Sequence, residues 1–488
     1  MPTREEKQKI AIIGGGLTGL VAGYRLSESG FNVHIFEAET DLGGMIRGIK
    51  IFPDHVTVDS IKDDLGSSDP TDYGPGSSDS IKDDLGSSDA NNSDLGYIDN
   101  IYHHLFTSDS YLLQLLDDLE LKSRLQWKTA ANALMYEYKL YPFSTPLDLL
   151  NFKPLPFSQR LRTGFSVLKA SRLKNWQPLE DELASDWLRR NCGEEAWRIL
   201  WRPLLRSKFG SDAADISAVW IWNKFKLRGS SREGSKEKLG YLEGGFQQIA
   251  DRLMEKITEN GGQVKPGQRV TKIVRHNFLD GRSQFRVRTE TETCAHSFDQ
   301  IICTMAAEPF LQIASDLIDS SEYLDKLSCS EYKANLCLSV VYEKPLSPWY
   351  WTTICDDLPF VVAVEQDNLS RNPLKDGYLI YLSGYLGVEE EIWQKSDRDI
   401  TNEFIRAAAK AFPGAKNNKV LASRLVRTRY SQPVIKRHYS KNMPEIKTPV
   451  PGLWLAGMAQ IYPEDRGMNY ALRLAEDVAA AVMGGEND

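Results

Sequence analysis

Residues 9–26, KIAIIGGGLTGLVAGYRL, hold the feature that most narrows the fold: an apolar run, three consecutive glycines, then helical spacing without proline. Lys9 to Ile13 suits a buried parallel strand and Leu17 to Leu26 a helix, so the glycines occupy a strand-to-helix junction. A helix starting there leaves its first N–H groups unpaired and adds the positive end of its dipole, which suits a diphosphate. Gly14, Gly16 and Gly19 match G-x-G-x-x-G, with Leu17 and Thr18 inside the motif. Small residues there permit the tight turn, close backbone approach to a pyrophosphate, and close packing of helix on strand. Gly30 ends the helix and Phe31 to Phe36 reads as a second strand. Glu37, followed by Ala38, then stands where an acid accepts hydrogen bonds from ribose hydroxyls, and an acid rather than an arginine argues against a 2′-phosphate. Strand, helix, second strand and acid fall in register, so dinucleotide binding is the expectation.

Composition removes other classes. The 488 residues, 41% hydrophobic and 10% aromatic, suffice for two or three domains with sizeable cores. A formal charge of −8 without a basic tract argues against nucleic acid as a partner. No apolar stretch approaches the ~20 residues that span a bilayer. The chain is therefore expected to be cytoplasmic with no transmembrane segment, peripheral membrane contact being left open. The six cysteines form no CxxC pair and the seven histidines no ligand pattern, so reduced thiols and no metal are expected. DSIKDDLGSSD at 59–69 recurs at 79–89, within a stretch from about 54 to 96 rich in Asp, Ser, Gly and Asn. Such a stretch has little to bury and reads as a solvated insert outside the fold.

Beyond the insert, Tyr111, Leu112, Leu115, Leu116 and Leu119 share one face of an expected helix, with Asp109 or Ser108 as its N-cap. Residues 158–226 read as largely helical and rich in Trp and Arg. Residues 241–275 give a glycine turn, a helix, a glycine stop and a strand. Strands are expected at 284–293, 300–304, 336–342, 361–364 and 378–383, a helix at 397–412, and a strand, loop and helix at the end.

Gly43-Gly44 decides between nicotinamide and flavin by resemblance. GxGxxG, then Glu37, then Gly43-Gly44 resembles the FAD fingerprint of the amine oxidase, protoporphyrinogen oxidase and phytoene desaturase superfamily, and the similarity covers nearly the whole chain apart from the insert. It implies FAD as cofactor and an α/β fold, a discontinuous Rossmann-like FAD-binding domain interleaved with an α+β substrate domain of mixed sheet and helices. The FAD-binding domain would comprise residues 8–105, 238–305 and 449–488. Residues 106–237 would form a mainly helical cap, and 306–448 the sheet and helices of the substrate domain. By the same resemblance Gly43, Gly44 and Met45 lie at the diphosphate. Many relatives have Arg where this chain has Met45, and Arg47 follows two places on. Val270 would hold the adenine through its backbone. Gly457 and Met458 follow a C-terminal strand, Met458 standing where most relatives have Asp or Glu, and Gly467, Met468 and Asn469 begin a helix aimed at the flavin ring. The run YHHLF, residues 102–106, resembles the segment lying against the flavin in UDP-galactopyranose mutases. This makes His104, with His103 beside it, the catalytic candidates. Arg466, in PEDRG, would hold a substrate anion or pair with a neighbouring carboxylate, the commoner fate of an arginine.

The function implied is an FAD-dependent oxidoreductase that removes hydride from a C–N or conjugated carbon substrate, a small molecule of apolar or cyclic kind. Two alternatives accompany it: a flavin-dependent sugar isomerase of the mutase type, and a flavin-binding protein without turnover. Trp220, Trp222, Trp349, Tyr350 and Trp351 would line an apolar cavity or pack the core, the usual place for such residues.

Overall fold

β1 (Lys9–Ile13) has Ile10, Ala11 and Ile12 with no exposed surface, as a strand covered on both faces requires. The structure, a computed structural model, describes residues 7–51, 96–230, 232–233, 236–278, 283–291, 296–371, 374 and 376–484. β1 lies at the centre of a five-stranded parallel sheet ordered Gln263–Lys265, β2 (Asn32–Phe36), β1, Gln300–Cys303, Leu453–Leu455. Three stretches far apart in sequence thus build one sheet. α1 (Leu17–Glu28) covers it together with the helices Gln247–Glu259 and Met468–Gly484. Helix Ala307–Ala314 packs against strand Val270–Asn277 and shares a core with Phe36, Phe285 and Ile301.

A seven-stranded sheet, almost wholly antiparallel, stands beside this unit in the order Val420–Pro433, Tyr332–Tyr342, Tyr378–Leu386, Val362–Glu365, Trp351–Ile354, Asn132–Tyr136, Lys139–Pro142. The largest hydrophobic cluster runs from Ile12 and Leu20 through Leu105 to Tyr350, Val364 and Tyr381, so the two sheets share one continuous core. Helix Asp397–Ala411 covers the other side of the large sheet through Ile400, Phe404 and Ala408.

Residues 106–237, expected to be mainly helical, contain the strands Leu125–Thr129, Asn132–Tyr136 and Lys139–Pro142 between helix Ser110–Asp118 and the helices from Pro146 onward. The last two are joined through Glu137 and Tyr138 at φ 53° and 55°, a turn normally announced by Asn-Gly, so the usual hairpin signal is missing. Asp109 does precede helix Ser110–Asp118, but its carboxylate accepts from the Phe106 N–H at 2.8 Å instead of capping the helix. Tyr111, placed on the apolar face by spacing, is 41% exposed, whereas Leu112, Leu115, Leu116 and Leu119 are buried. Trp220 and Trp222 pack inside the helical core rather than lining a cavity. The acidic stretch from about 54 to 96 lies outside the described residues apart from Gly96, but the strands on either side of it, Gly48–Ile51 and Gly96–Asp99, pair with each other.

Candidate active site

The glycines of the first turn do different work. A Cβ on Gly14, at φ +116°, would sit 2.5 Å from Thr304 Oγ1, and one on Gly19 would run into the Gly14 carbonyl oxygen. Gly15 is held by its N–H bond to Glu37 Oε2 at 2.6 Å, and its Cβ would meet Leu42. The chain itself therefore demands those glycines. Gly16 is different: it has ordinary extended backbone, φ −75° and ψ 177°, and a Cβ there would meet no atom within 4 Å. The open space before Gly16 lies at the N-terminus of α1, which no side chain caps. Gly43 and Gly44, both at positive φ, fold against this turn, with Gly43 N–H on the Gly15 carbonyl at 2.8 Å and a Cβ on Gly44 3.2 Å from the Gly16 Cα. Arg47 Nε is buried nearby in sequence with no partner, while Met45 lies half-buried. An open cradle, helix N–H groups and a spare guanidinium nitrogen fit a diphosphate.

Glu37 binds more of its own chain than the sequence suggests, because Oε1 also accepts from the Glu39 N–H at 2.9 Å. Its lone pairs still leave room for ribose hydroxyls. Ala38 is half-buried beside it. The Glu37 carbonyl accepts from Gln268 N–H at 2.7 Å, which brings Val270 to the same edge of the sheet. At the other end, Gly457 packs against the Met305 carbonyl, where a Cβ would clash, and its N–H goes to Gln460 Oε1 at 2.5 Å. Met458 opens a short 3-10 turn at this point. Gly467 accepts from the N–H groups of Tyr470 and Ala471 and so starts the C-terminal helix. The Asn469 side chain is buried against helix Ser110–Asp118: it is 5% exposed and its Oδ1 accepts from the Leu112 N–H at 3.2 Å. Only its backbone N–H stays with the helix start.

The two histidines separate in role. His104 shares a 3.0 Å hydrogen bond with the Tyr350 hydroxyl through Nδ1 and is boxed by Phe106, Tyr350 and Trp351, with ring centroids 5.0 to 5.9 Å away. His103 donates from Nδ1 to the Ile101 carbonyl at 2.6 Å, which fixes its tautomer and leaves Nε2 as an acceptor. Burial lowers His103 to about 4, outweighing that carbonyl's pull upward, and the Arg466 charge lowers it further. His103 is therefore neutral at ordinary pH.

Beside His103 lies a charge cluster of which only Arg466 stands out in the sequence. It joins Lys208 of helix Arg202–Phe209, Lys224 of helix Ala218–Ser230, Tyr385 of the large sheet, Gln432 of its edge strand, and Asp465-Arg466 just before the C-terminal helix. Asp465 pairs with Lys224 and accepts from Gln432 Nε2 at 3.1 Å. Burial would raise its carboxyl, but the Lys224, Lys208 and Arg466 charges outweigh this and hold it well below the usual carboxylate range. Arg466 does not take the carboxylate partner that arginines commonly find. Its Nη2 donates to the Tyr385 hydroxyl at 2.5 Å and its Nε to Gln432 Oε1 at 3.1 Å. Burial pushes the Tyr385 phenol up, yet Arg466, Lys208 and the hydrogen bond with Tyr102 together bring it below the ordinary tyrosine value. The one available signal was Lys208 in RPLLRSKF, a charge one turn after Leu204 on a helix whose buried residues are Leu205 and Phe209.

Fold and cradle together define a dinucleotide-binding protein of the Rossmann-like class. Residues 87–483 match the family model described as flavin containing amine oxidoreductase, and residues 12–61 one described as an NAD(P)-binding Rossmann-like domain. The chain belongs to the flavin-containing amine oxidoreductase family, and FAD is its cofactor. The mitochondrial protoporphyrinogen oxidase of Nicotiana tabacum is 24% identical over 231 residues, 46% of this chain and 38% of that protein, so the match spans well under half of that relative. Among solved structures, cyclohexylamine oxidase from Brevibacterium oxydans superposes with a TM-score of 0.69 at 15% identity, covering 99% of this chain and 100% of that one. Reduced UDP-galactopyranose mutase gives 0.67 at 14% identity, covering 99% and 97%. Among the described residues, no helix is long and apolar enough to cross a membrane, and no three His, Cys, Asp or Glu residues are grouped to hold a metal ion.

Proposed function

We propose that the enzyme removes hydride from a C–H beside nitrogen, or within a conjugated carbon skeleton, of a small molecule. The observation that supports this reading is the meeting of three parts in one region: the Gly467 helix start, the Tyr102-His103 segment, and the Tyr385 strand of the large sheet. When bound, FAD supplies the hydride acceptor at flavin N5. Gly14, Gly16, Gly43 and Gly44 hold its diphosphate, Glu37 its ribose, and the backbone of Val270 its adenine. The helix start at Gly467, Met468 and Asn469 would turn its positive dipole end toward the bound flavin. His103 Nε2, kept neutral by burial, orients a donor group of the substrate; with a pKa of about 4 it is too weak a base to carry the proton away at neutral pH. His104 acts through Tyr350 as a positioning residue. Tyr102 stacks edge-on against Trp351 and Tyr381, at 5.3 and 6.0 Å, and helps exclude water.

Anaerobic mixing of flavin-loaded protein with a panel of amines, amino acids and reduced tetrapyrroles tests the proposal. Bleaching of the visible flavin band by one class, with its oxidised product recovered, is the expected result. A panel that never bleaches it counts against the reading. Turnover of a nucleotide sugar only after prior reduction of the flavin would place the enzyme with the mutase-type isomerases instead.

A further inference from the structure

We propose that Arg466, Lys208 and Tyr385 form a recognition site for an anionic oxygen group, carboxylate or phosphate, carried by the substrate of the oxidoreductase reaction proposed above. The inference starts from unmatched charge. Three cations, Lys208, Lys224 and Arg466, surround one carboxylate, Asp465, and that carboxylate is committed to Lys224 and Gln432. Among the described residues neither Lys208 nor Arg466 has an ion-pair partner. Both instead donate to the same neutral oxygen, Gln432 Oε1, at 3.2 and 3.1 Å.

Two other interior cations of this protein are matched by carboxylates. Arg25 meets Glu28, Asp118 and Glu476, and the nearly buried Lys333 meets Asp212 at 2.8 Å. A purely structural cluster would be balanced likewise, since desolvated charge is costly without a counterion. Here the partial balance comes from aromatic faces and a phenol. Lys208 Nζ lies 4.6 Å from the centroid of the Tyr385 ring, and the Tyr385 hydroxyl takes the Arg466 bond. Lys208 retains two unused N–H donors and Arg466 its Nη1, on side chains that keep partial exposure. Burial lowers Lys208 to about 8, as an ammonium short of partners should behave. A guanidinium and an ammonium held by one amide, with a phenol between them, present convergent donors of the kind that bind carboxylate or phosphate. Arg466 is two residues from Met468, so an anion held there would lie beside the helix start assigned to the flavin.

The test is equilibrium binding to the flavin-loaded protein, read by perturbation of the flavin spectrum and by calorimetry, with benzoate, phenyl phosphate and the neutral isostere benzamide. Benzoate or phenyl phosphate should bind at least about 10-fold more tightly than benzamide, the benefit of a charge-assisted hydrogen bond. Whichever anion is preferred identifies the group as carboxylate or phosphate. Lys208→Met, which keeps the length of the side chain, and Arg466→Gln should each abolish the preference, and Arg466→Lys should restore part of it. Benzamide binding as tightly as the anions, or no binding of any probe, overturns the proposal. So does unchanged anion affinity in Lys208→Met and Arg466→Gln accompanied by a lowered flavin potential, which would assign the cations to the reduced cofactor. Failure of every panel substrate to bleach the flavin, with anion preference intact, would instead overturn only the assignment of the reaction.

Discussion

Replacing Gly16 and Gly19 separately should uncouple cofactor binding from folding, although both belong to one motif. For Gly16→Ala two terms oppose each other. Ala restricts the unfolded chain and favours folding by about 0.4–1 kcal/mol where the backbone is compatible, as φ −75° and ψ 177° are. Gly16 is also the N-cap of α1, and Ala is the poorer cap by an amount of similar size, on the order of 1 kcal/mol. With no atom within 4 Å of the new methyl, the net change in apoprotein stability should stay within about 1 kcal/mol. The methyl does enter the cradle assigned to the diphosphate, and overpacking there should cost about 1–3 kcal/mol, weakening FAD roughly 5- to 150-fold. Gly19→Ala drives its methyl into the Gly14 carbonyl and against Thr304 Oγ1 at 3.0 Å, so helix and strand must separate. That should cost about 3 kcal/mol or more with or without cofactor. Denaturant unfolding of apoprotein and FAD titration by fluorescence quenching measure the two effects independently. Gly16→Ala apoprotein destabilised as strongly as Gly19→Ala, or Gly16→Ala with unchanged FAD affinity, would refute the division of labour among these glycines.

Three further outcomes are expected. Because Ile51 pairs with Gly96, replacing residues 52–95 by a four-residue turn should preserve fold and FAD uptake. It should also raise stability by about 2 kcal/mol from the shorter loop closure, as denaturant titration would show. Burial raises Asp99 to about 6 against hydrogen bonds from Phe246 N–H and the Tyr241 hydroxyl, whereas unfolded Asp titrates near 4, at about 3.9. The folded state then holds the extra proton between these values, so stability falls as pH rises from about 4 to about 6, by about 3 kcal/mol for this group. The stability difference between wild type and Asp99→Asn should change by that amount across the interval, and a constant difference would show that Asp99 is not the group responsible. Arg25→Met removes the cation joining α1 to helix Ser110–Asp118 and the C-terminal helix, through Asp118 and Glu476 at 2.8 Å each. The loss should be about 1–2 kcal/mol at low ionic strength and shrink in salt, as thermal melts at two ionic strengths would show.

The order of β1, turn, α1 and β2 was legible because each element is set by neighbouring residues: an apolar run, glycines at a junction, helical spacing, an acid at a strand end. Observed bounds for β1 match those expected, and β2 and α1 differ by one and two residues. Two long strands of the second sheet, Tyr332–Tyr342 and Tyr378–Leu386, were found but cut short, and the longest, Val420–Pro433, was not expected. Tyr332–Tyr342 is buried along almost all its length, so polar members such as Lys333, Asn335 and Ser339 do not mark its face. The hairpin at Glu137-Tyr138 gave no sign at all, since two non-glycine residues take positive φ there under constraint from the sheets around them.

Sequence alone determined the strand-to-helix turn, its glycines and the position of Glu37 at the end of β2, because backbone conformation and helix polarity are local properties that residue type and spacing express. It could not determine which cations stand together. Lys208, Tyr385, Gln432 and Arg466 lie as much as 258 positions apart along the chain, from Lys208 to Arg466, and meet only because the helical block, the large sheet and the C-terminal helix converge. Nor could it say that Arg466 would lack a carboxylate when Asp465 adjoins it in the chain. Tertiary structure decided that by giving Asp465 to Lys224, and in a desolvated interior the choice of partner fixes which charge remains free to meet a ligand.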